Sequence, residues 1–233
     1  MNISSPKGAK KNNPLVDLLI SIIIPSLILM KLSGDQWLGT TYALITALAF
    51  PFCYGLYELI MHKKFNIISL LGIISILLTG GIGLFELEPK WLAIKEAAVP
   101  LIIGLIVLGS MKTRYSLVKT MLYNPAIINT DRVDKAMQEK GTQAEFEQRL
   151  KKASYLLSGT FFFSATLNYI LARMIVNSPA GTEAFNEELG QLTLVSYPVI
   201  ALPSMIIMMA TLFWLVRSVK TLADLKLEDI IHQ

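Results

Sequence analysis

The sequence predicts an all-α fold: a polytopic membrane protein built as a bundle of six transmembrane helices, with both termini on the cytoplasmic side. Hydrophobic residues make up 53% of its 233 positions, a proportion that suits a surface facing lipid. Six long apolar segments are separated by loops that are alternately rich and poor in Lys and Arg. If the termini lie inside, most of the 21 basic residues fall on the cytoplasmic side, as the positive-inside rule requires. The four exceptions are Lys31, Lys90, Lys95 and Arg173.

The first three spans follow a polar tail. Span one covers residues 15–32, and Pro14 before it suits the first position of a helix, where its missing N–H has no helical partner. Span two covers residues 37–60 and begins with a tryptophan, a residue common at the membrane interface. Span three, residues 66–85, carries no charge.

The fourth span is the shortest, because only residues 97–111 are free of charge and a bilayer core is about 30 Å thick. A helix of sufficient length must start near Trp91. Spans five and six cover residues 153–176 and 192–216. The predicted division of the chain is a cytoplasmic tail (1–13), transmembrane helices one to four (14–111), a cytoplasmic helical loop (112–152), helices five and six (153–217) and a cytoplasmic tail (218–233).

The cytoplasmic loop is predicted to form a short helical hairpin. Asn129 is placed to start its first helix, Gly141 to break the hairpin, and Thr142 with Glu145 to start the second helix as a capping box. Basic residues outnumber acidic ones in residues 112–152. Contact with lipid head groups and a solvated connector therefore remain alternatives for this loop.

Prolines inside the predicted spans favour one of two outcomes. They can kink helices so that the helices pack, or they can break helices that line a cavity, as in transporters built from inverted repeats. Three spans in each half of the chain would make any such repeat inverted. These prolines are Pro25, Pro51, Pro100, Pro198 and Pro203.

Two acidic residues lie at the inner ends of the first two spans. Asp17 falls in the first turns of a helix, where the positive end of the helix dipole favours an anion. Glu58 lies near a helix C-terminus, which disfavours a carboxylate, so it needs a partner such as Lys112, Arg114 or His62.

Lys95 and Glu96 are the most unusual charges, because they enter the outer leaflet if span four has its full length. Neighbouring residues on a helix point about 100° apart, so we expect each to need a partner on another helix or in a cavity. Arg173 lies at a matching depth, with Asn168 about one turn deeper. A functional charge network and an interfacial lysine that extends to the surface remain alternatives.

The sequence offers no catalytic or metal-binding motif. Neither His62 nor His232 has a Cys, His or carboxylate partner at metal-ligand spacing, and Cys53 is the only cysteine. Signatures of nucleotide, hydrolase and zinc-protease sites are missing. We therefore predict no enzyme activity, no metal and no cofactor. The net charge of +4 is explained by span ends, so nucleic acid is not expected as a partner.

A set of short motifs runs from span three to span six: Gly80-Gly81, Pro89-Lys90-Trp91, Lys95, Lys119-Thr120-Met121-Leu122, Arg149-Leu150, Phe161-Phe162-Phe163 and Asn168-Tyr169. With these motifs, residues 66–217 resemble the intracellular septation protein A family, although the loop between spans four and five is longer here. Glu96 and Pro100 also depart from the family pattern. The resemblance implies a bacterial inner-membrane protein without catalytic residues, in which Lys95 and Asn168 serve structure or interaction.

Two hypotheses for function follow. The first is a non-enzymatic inner-membrane protein that supports cell-envelope integrity, septation or lipid homeostasis. Its predicted partners are membrane lipids and other inner-membrane proteins, with homo-oligomerisation left open. The alternative is a small secondary transporter or lipid translocator that uses intramembrane charges. The binding or charge network common to both hypotheses is Asp17, Glu58, Lys95, Glu96, Asn168 and Arg173.

Overall fold

A computed structural model describes residues 18–61, 67–111, 118–119 and 129–225, and this part of the chain is helical without any strand. The chain forms two compact units. Unit 1 comprises Met1–Leu92 and Met174–Val195, and unit 2 comprises Ala93–Arg173 and Ser196–Gln233. The units interleave along the chain and do not coincide with its two halves.

Apart from a short helical piece at residues 118–119, the described residues form seven helical stretches, numbered in chain order. Two of them contain a π-helical turn: Leu19–Ile23 opens α1, and Tyr197–Ala201 interrupts α7. The helices are α1 (Leu19–Lys31), α2 (Gly39–Met61), α3 (Ile67–Leu84), α4 (Pro89–Ser110), α5 (Thr130–Lys140), α6 (Gln143–Ile175) and α7 (Glu183–Ala223).

Four of these helices, namely α2, α4, α6 and α7, are long and apolar enough to cross a membrane. They indicate a multi-pass membrane protein and correspond to predicted spans two, four, five and six. Spans one and three coincide with α1 and α3, which are apolar helices whose described portions are shorter. Helix α4 begins at Pro89, early enough to give span four its full length.

The prolines have different effects on the helices. Pro51 and Pro100 lie inside α2 and α4, which stay α-helical around them. Pro198 lies within the π turn of α7, and Pro203 is the second residue after that turn. A proline has no backbone N–H to donate, and a π turn is one way in which a helix accommodates the missing hydrogen bond.

Unit 1 contains α1, α2, α3 and the first turns of α7, and small residues allow its helices to approach. The position where a Gly80 Cβ would lie is 3.2 Å from Leu48 Cδ1. Gly83 lies still closer to Leu44. Close helix packing in α3 therefore occurs at Gly80 and Gly83, whereas a Cβ at Gly81 would meet only Phe85 of its own helix, at 3.9 Å.

The core of unit 2 is an apolar cluster around the helical hairpin of α5 and α6. The cluster brings the hairpin together with the C-terminal ends of α4 and α7. Because these residues belong to the predicted loop and to the span ends, the core lies where the sequence places the edge of the membrane. Its members are Val107, Val118, Val133, Met137, Phe146, Leu150, Ala153, Leu215, Val219, Leu222 and Ala223.

The hairpin starts and breaks where the sequence predicts. The Asn129 side chain accepts a hydrogen bond from the Arg132 amide at 3.2 Å, which caps α5. Gly141 ends α5 with φ 68°, a left-handed conformation that glycine adopts without steric cost. The predicted capping box is replaced by other bonds. The Thr142 hydroxyl donates to the Leu222 carbonyl at 3.0 Å, and Glu145 pairs with Arg149 at 2.5 Å.

The second hairpin helix and predicted span five form one continuous helix, α6, of 33 residues. Ser158 within it donates to the Gly104 carbonyl of α4 at 2.9 Å. A Cβ at Gly104 would lie 3.2 Å from Phe161 Cβ, so α4 and α6 approach closely at this glycine. Gly159 plays no such part, since a Cβ there would meet no atom within 4 Å.

Candidate functional site

The predicted charge pair lies in the second turn of α4, within unit 2. Lys95 Nζ donates to Glu96 Oε1 at 2.6 Å. The Lys95 side chain is 8% exposed and that of Glu96 is 28% exposed. Flexible side chains thus allow the two neighbours to pair directly, although their positions on the helix point apart. The result is a largely buried pair of zero net charge.

Asn168 and Arg173 lie on α6 but do not join this pair. Asn168 donates to the Ser164 carbonyl at 2.8 Å, one turn back along its own helix. Arg173 is exposed, and within the described residues it forms no ion pair with Glu96. Of the other predicted residues, Asp17 lies outside the described residues, as does the side chain of Glu58. The six residues are thus not shown to form one network.

Replacing Lys95 with methionine is expected to lower the free energy of unfolding by about 1–2 kcal/mol, because Glu96 would lose the cation that neutralises it. The partial exposure of Glu96 keeps this below the loss typical of a fully buried pair. The double variant Lys95→Met/Glu96→Gln should recover most of the loss. Unfolding of both single variants and the double variant in detergent micelles measures the coupling. Strictly additive losses would contradict this account.

A buried polar centre in unit 1 was missed by the sequence analysis. Asn186, 1% exposed, donates from Nδ2 to Ser33 Oγ at 3.0 Å and to the Thr40 carbonyl at 2.8 Å. Ser33 in turn donates to the Leu29 carbonyl at 2.7 Å. The centre joins the first turns of α7 to the connection between α1 and α2. The sign of this centre in the sequence is an amide, Asn186, that lies between the apolar residues Phe185 and Leu189. The structure buries both of these neighbours.

A second anchor in unit 1 is formed by Glu188 of the same helix, α7. The Glu188 carboxylate accepts hydrogen bonds from the backbone amides of Asn177 and Ser178, both at 2.9 Å, and from the Ser178 hydroxyl at 2.8 Å. The sequence analysis did not single out Glu188. The three hydrogen bonds accepted by Glu188 hold the loop before α7 to that helix, so the role of this residue is structural.

An apolar cleft of about 360 Å³ lies in unit 2 beside the π turn of α7. Ser204 borders it, and the buried Ser204 Oγ has no hydrogen-bond partner among the described residues. Because most of its lining is apolar, the cleft suits an acyl chain better than an ion, which would need polar ligands. The cleft is lined by Leu157, Thr160, Phe161, Ser164, Tyr197, Ala201, Leu202, Ser204, Met205 and Met208.

The hairpin presents a polar outer surface. The buried faces of α5 and α6 carry Val133, Met137, Phe146 and Leu150. The opposite faces carry exposed charged or amide side chains, which are Asp131, Arg132, Asp134, Lys135, Gln138, Glu139, Lys140, Gln143, Glu145, Glu147, Gln148, Lys151 and Lys152. Because the apolar side of the hairpin is covered by protein, it is not free to insert into lipid.

An ion pair joins the hairpin to the end of α7. Lys140 Nζ lies 2.6 Å from Asp224 Oδ2, and both side chains are largely exposed. The hydrogen bond from Lys140, together with its positive charge, holds the pKa of the Asp224 carboxyl below its ordinary value of 3.8. The pair therefore contributes stability above pH 3.8, and this contribution is lost as the pH falls through the lowered pKa.

Replacing Lys140 with methionine should raise the pKa of Asp224 to about its ordinary value. A carboxyl-carbon NMR titration of the full chain in micelles measures this pKa directly. Lys135→Met removes an exposed cation from the same helix and is the matched control, for which no change is expected. An Asp224 pKa that is the same in wild type and Lys140→Met would contradict the assignment.

The described residues include no group of three or more His, Cys, Asp and Glu side chains that could hold a metal ion. Cys53 is exposed on α2. No family model matches the chain, and no curated protein or solved structure matches it significantly.

Proposed function

We propose that the chain is a non-enzymatic, six-span protein of the bacterial inner membrane with both termini in the cytoplasm. In this proposal it supports cell-envelope integrity, septation or lipid homeostasis through membrane lipids and other inner-membrane proteins. The charge alternation of the sequence supports the topology. The resemblance of residues 66–217 to the septation protein A family supports the role.

The folded hairpin is the observation that carries the proposal. A helix that only rests on a membrane directs its apolar face into lipid. In α5 and α6 that face is packed against the ends of α4 and α7 instead. The hairpin is therefore a folded structure whose charged side chains face outward. Such a surface is suited to binding a protein partner.

The pairing of Lys95 with Glu96 also favours this role over transport. A transport path needs charges that are available to a substrate, whereas these two neutralise each other at 2.6 Å. The pair lies near the start of α4, at one end of a span, and not at the midplane where transporter sites are expected.

Charge reversal on the hairpin tests the proposal in the source bacterium. A deletion strain should show altered cell length or detergent sensitivity, which the wild-type gene restores. Lys135→Glu/Lys152→Glu should reach the membrane in normal amounts and fail to restore the phenotype. Lys31→Glu/Lys90→Glu, which reverses two exposed cations on the opposite predicted side, should restore it.

Two results would contradict the proposal. One is a deletion strain with unchanged cell length and detergent resistance. The other is equal restoration by the hairpin variant and the control variant, with both present in the membrane at wild-type levels.

Lipid translocation is the alternative function, and the apolar cleft beside the π turn of α7 favours it. The test is movement of a fluorescent phospholipid between the leaflets of vesicles that contain the purified full chain. Translocation that is lost in Ala201→Phe, which would fill the cleft, and retained in Lys151→Gln/Lys152→Gln, which changes exposed positions on α6, would support this alternative. No acceleration over protein-free vesicles would exclude it.

A further inference from the structure

The last turns of α7 carry an apolar and cationic stripe on one exposed face. Phe213 is 69% exposed, and Arg217 and Lys220 follow it one and two turns later, also exposed. Residues three or four apart on a helix are neighbours, so these three side chains lie in a row. The row forms part of a pocket of about 610 Å³ lined by Phe213, Val216, Arg217, Lys220, Thr221, Asp224 and Leu225.

The charge of this pocket is positive. Asp224 is the only acidic residue of its lining, and its carboxylate is already bound by Lys140. Within the part of the chain that the structure describes, Arg217 and Lys220 form no ion pair with any residue. Among the described residues, the two cations therefore face the pocket without an anion to neutralise them.

The pocket lies at the boundary between apolar and charged sequence. The apolar run of α7 ends with Val216, and Arg217 follows it directly. In a bilayer this boundary falls at the head groups, where anionic lipids attract cations at about 1 kcal/mol for each Lys or Arg. Phe213 lies one turn, about 5.4 Å, further toward the hydrocarbon.

We propose that this pocket binds an anionic phospholipid, with its phosphate between Arg217 and Lys220 and an acyl chain along Phe213 and Val216. A free phosphate would use only the two cations, whereas a phospholipid also covers the exposed aromatic ring. The volume lies within the roughly 300–1,000 Å³ that small-ligand sites occupy. The inference does not depend on the proposed function, since a transporter could carry the same lipid site.

Native mass spectrometry of the full chain released from micelles containing phosphatidylglycerol or phosphatidylcholine tests the site. The wild type should retain phosphatidylglycerol in preference to phosphatidylcholine. Arg217→Gln/Lys220→Gln should lower retained phosphatidylglycerol at least fivefold. Lys151→Gln/Lys152→Gln removes the same charge from exposed positions on α6 and should change it less than twofold.

Phe213→Ser provides a second test that leaves the charge unchanged and alters an exposed side chain. It should lower phosphatidylglycerol retention about threefold, and excess glycerol phosphate should compete poorly with the lipid. Equal losses of retained phosphatidylglycerol in the two double variants would indicate a general attraction of the lipid to positive charge, without a specific site. This result would overturn the proposal. Full competition by glycerol phosphate, with no effect of Phe213→Ser, would mean that the pocket binds a free phosphate. That result would also overturn the phospholipid proposal.

Discussion

Replacing Asn186 with leucine is expected to lower the free energy of unfolding of the full chain by about 2–4 kcal/mol. Leucine has the same branched arrangement of four side-chain heavy atoms as asparagine and is somewhat bulkier, so the loss does not come from a cavity. Without the Asn186 amide, the Thr40 carbonyl loses its bond from that side chain in a site where Asn186 is 1% exposed. The Ser33 hydroxyl loses a donor as well. Denaturant unfolding in micelles, followed by tryptophan fluorescence, measures the change.

Gln191→Leu is the matched control for Asn186→Leu. Gln191 lies on the same helix and donates only a long bond, 3.4 Å, to exposed Glu187 one turn away. Its replacement should change the unfolding free energy by less than about 0.5 kcal/mol, as is usual for partly exposed positions. If both variants lose the same amount, the buried polar centre does not hold unit 1 together.

Gly190→Ala is expected to destabilise the protein by about 1–3 kcal/mol, the range for overpacking a tight contact. The new Cβ would lie 2.9 Å from the Ser26 carbonyl oxygen and 2.7 Å from Met30 Cγ. The methionine side chain can move, but the backbone oxygen moves only if α1 shifts. Thermal unfolding in micelles gives the difference from the wild type.

Gly159→Ala is the opposite case and serves as the control. The Cβ would meet no atom within 4 Å, and alanine is the better helix former by about 1 kcal/mol. We therefore expect an unchanged or slightly raised melting temperature. Equal destabilisation by Gly190→Ala and Gly159→Ala would mean that both losses come from a general intolerance of alanine and not from contact with α1.

The long helices could be predicted from the sequence because hydrophobicity over about twenty residues is a strong signal. Predicted spans two, four, five and six all coincide with helices long enough to cross a membrane. The caps at Asn129 and Gly141 were also predicted, since they depend on residue type and local spacing. Hydrophobic runs and helix caps both depend on residues that are close together in the sequence.

Tertiary partners could not be predicted in the same way. Val133 with Met137, and Phe146 with Leu150, are spaced four residues apart, as on the apolar face of a membrane-surface helix. Only the fold places Leu215 and Val219 in the same cluster. The pairing of Lys95 with Glu96 depends on rotamers that spacing does not specify. The bonds of Asn186 join residues 146 and 153 positions apart. No local pattern distinguishes such an asparagine from an exposed one.

Site-specific labelling of cysteines is the measurement that most directly tests the central claim, a multi-pass protein with its hairpin in the cytoplasm. The exposed Cys53 is first replaced by serine, and single cysteines are placed at the exposed positions Glu88, Glu139 and Glu187. A membrane-impermeant maleimide is then applied to spheroplasts and to permeabilised cells. We expect Glu88→Cys and Glu187→Cys to react in both, and Glu139→Cys to react only after permeabilisation. Reaction of Glu139→Cys in intact spheroplasts, or recovery of the protein in the soluble fraction, would contradict the account.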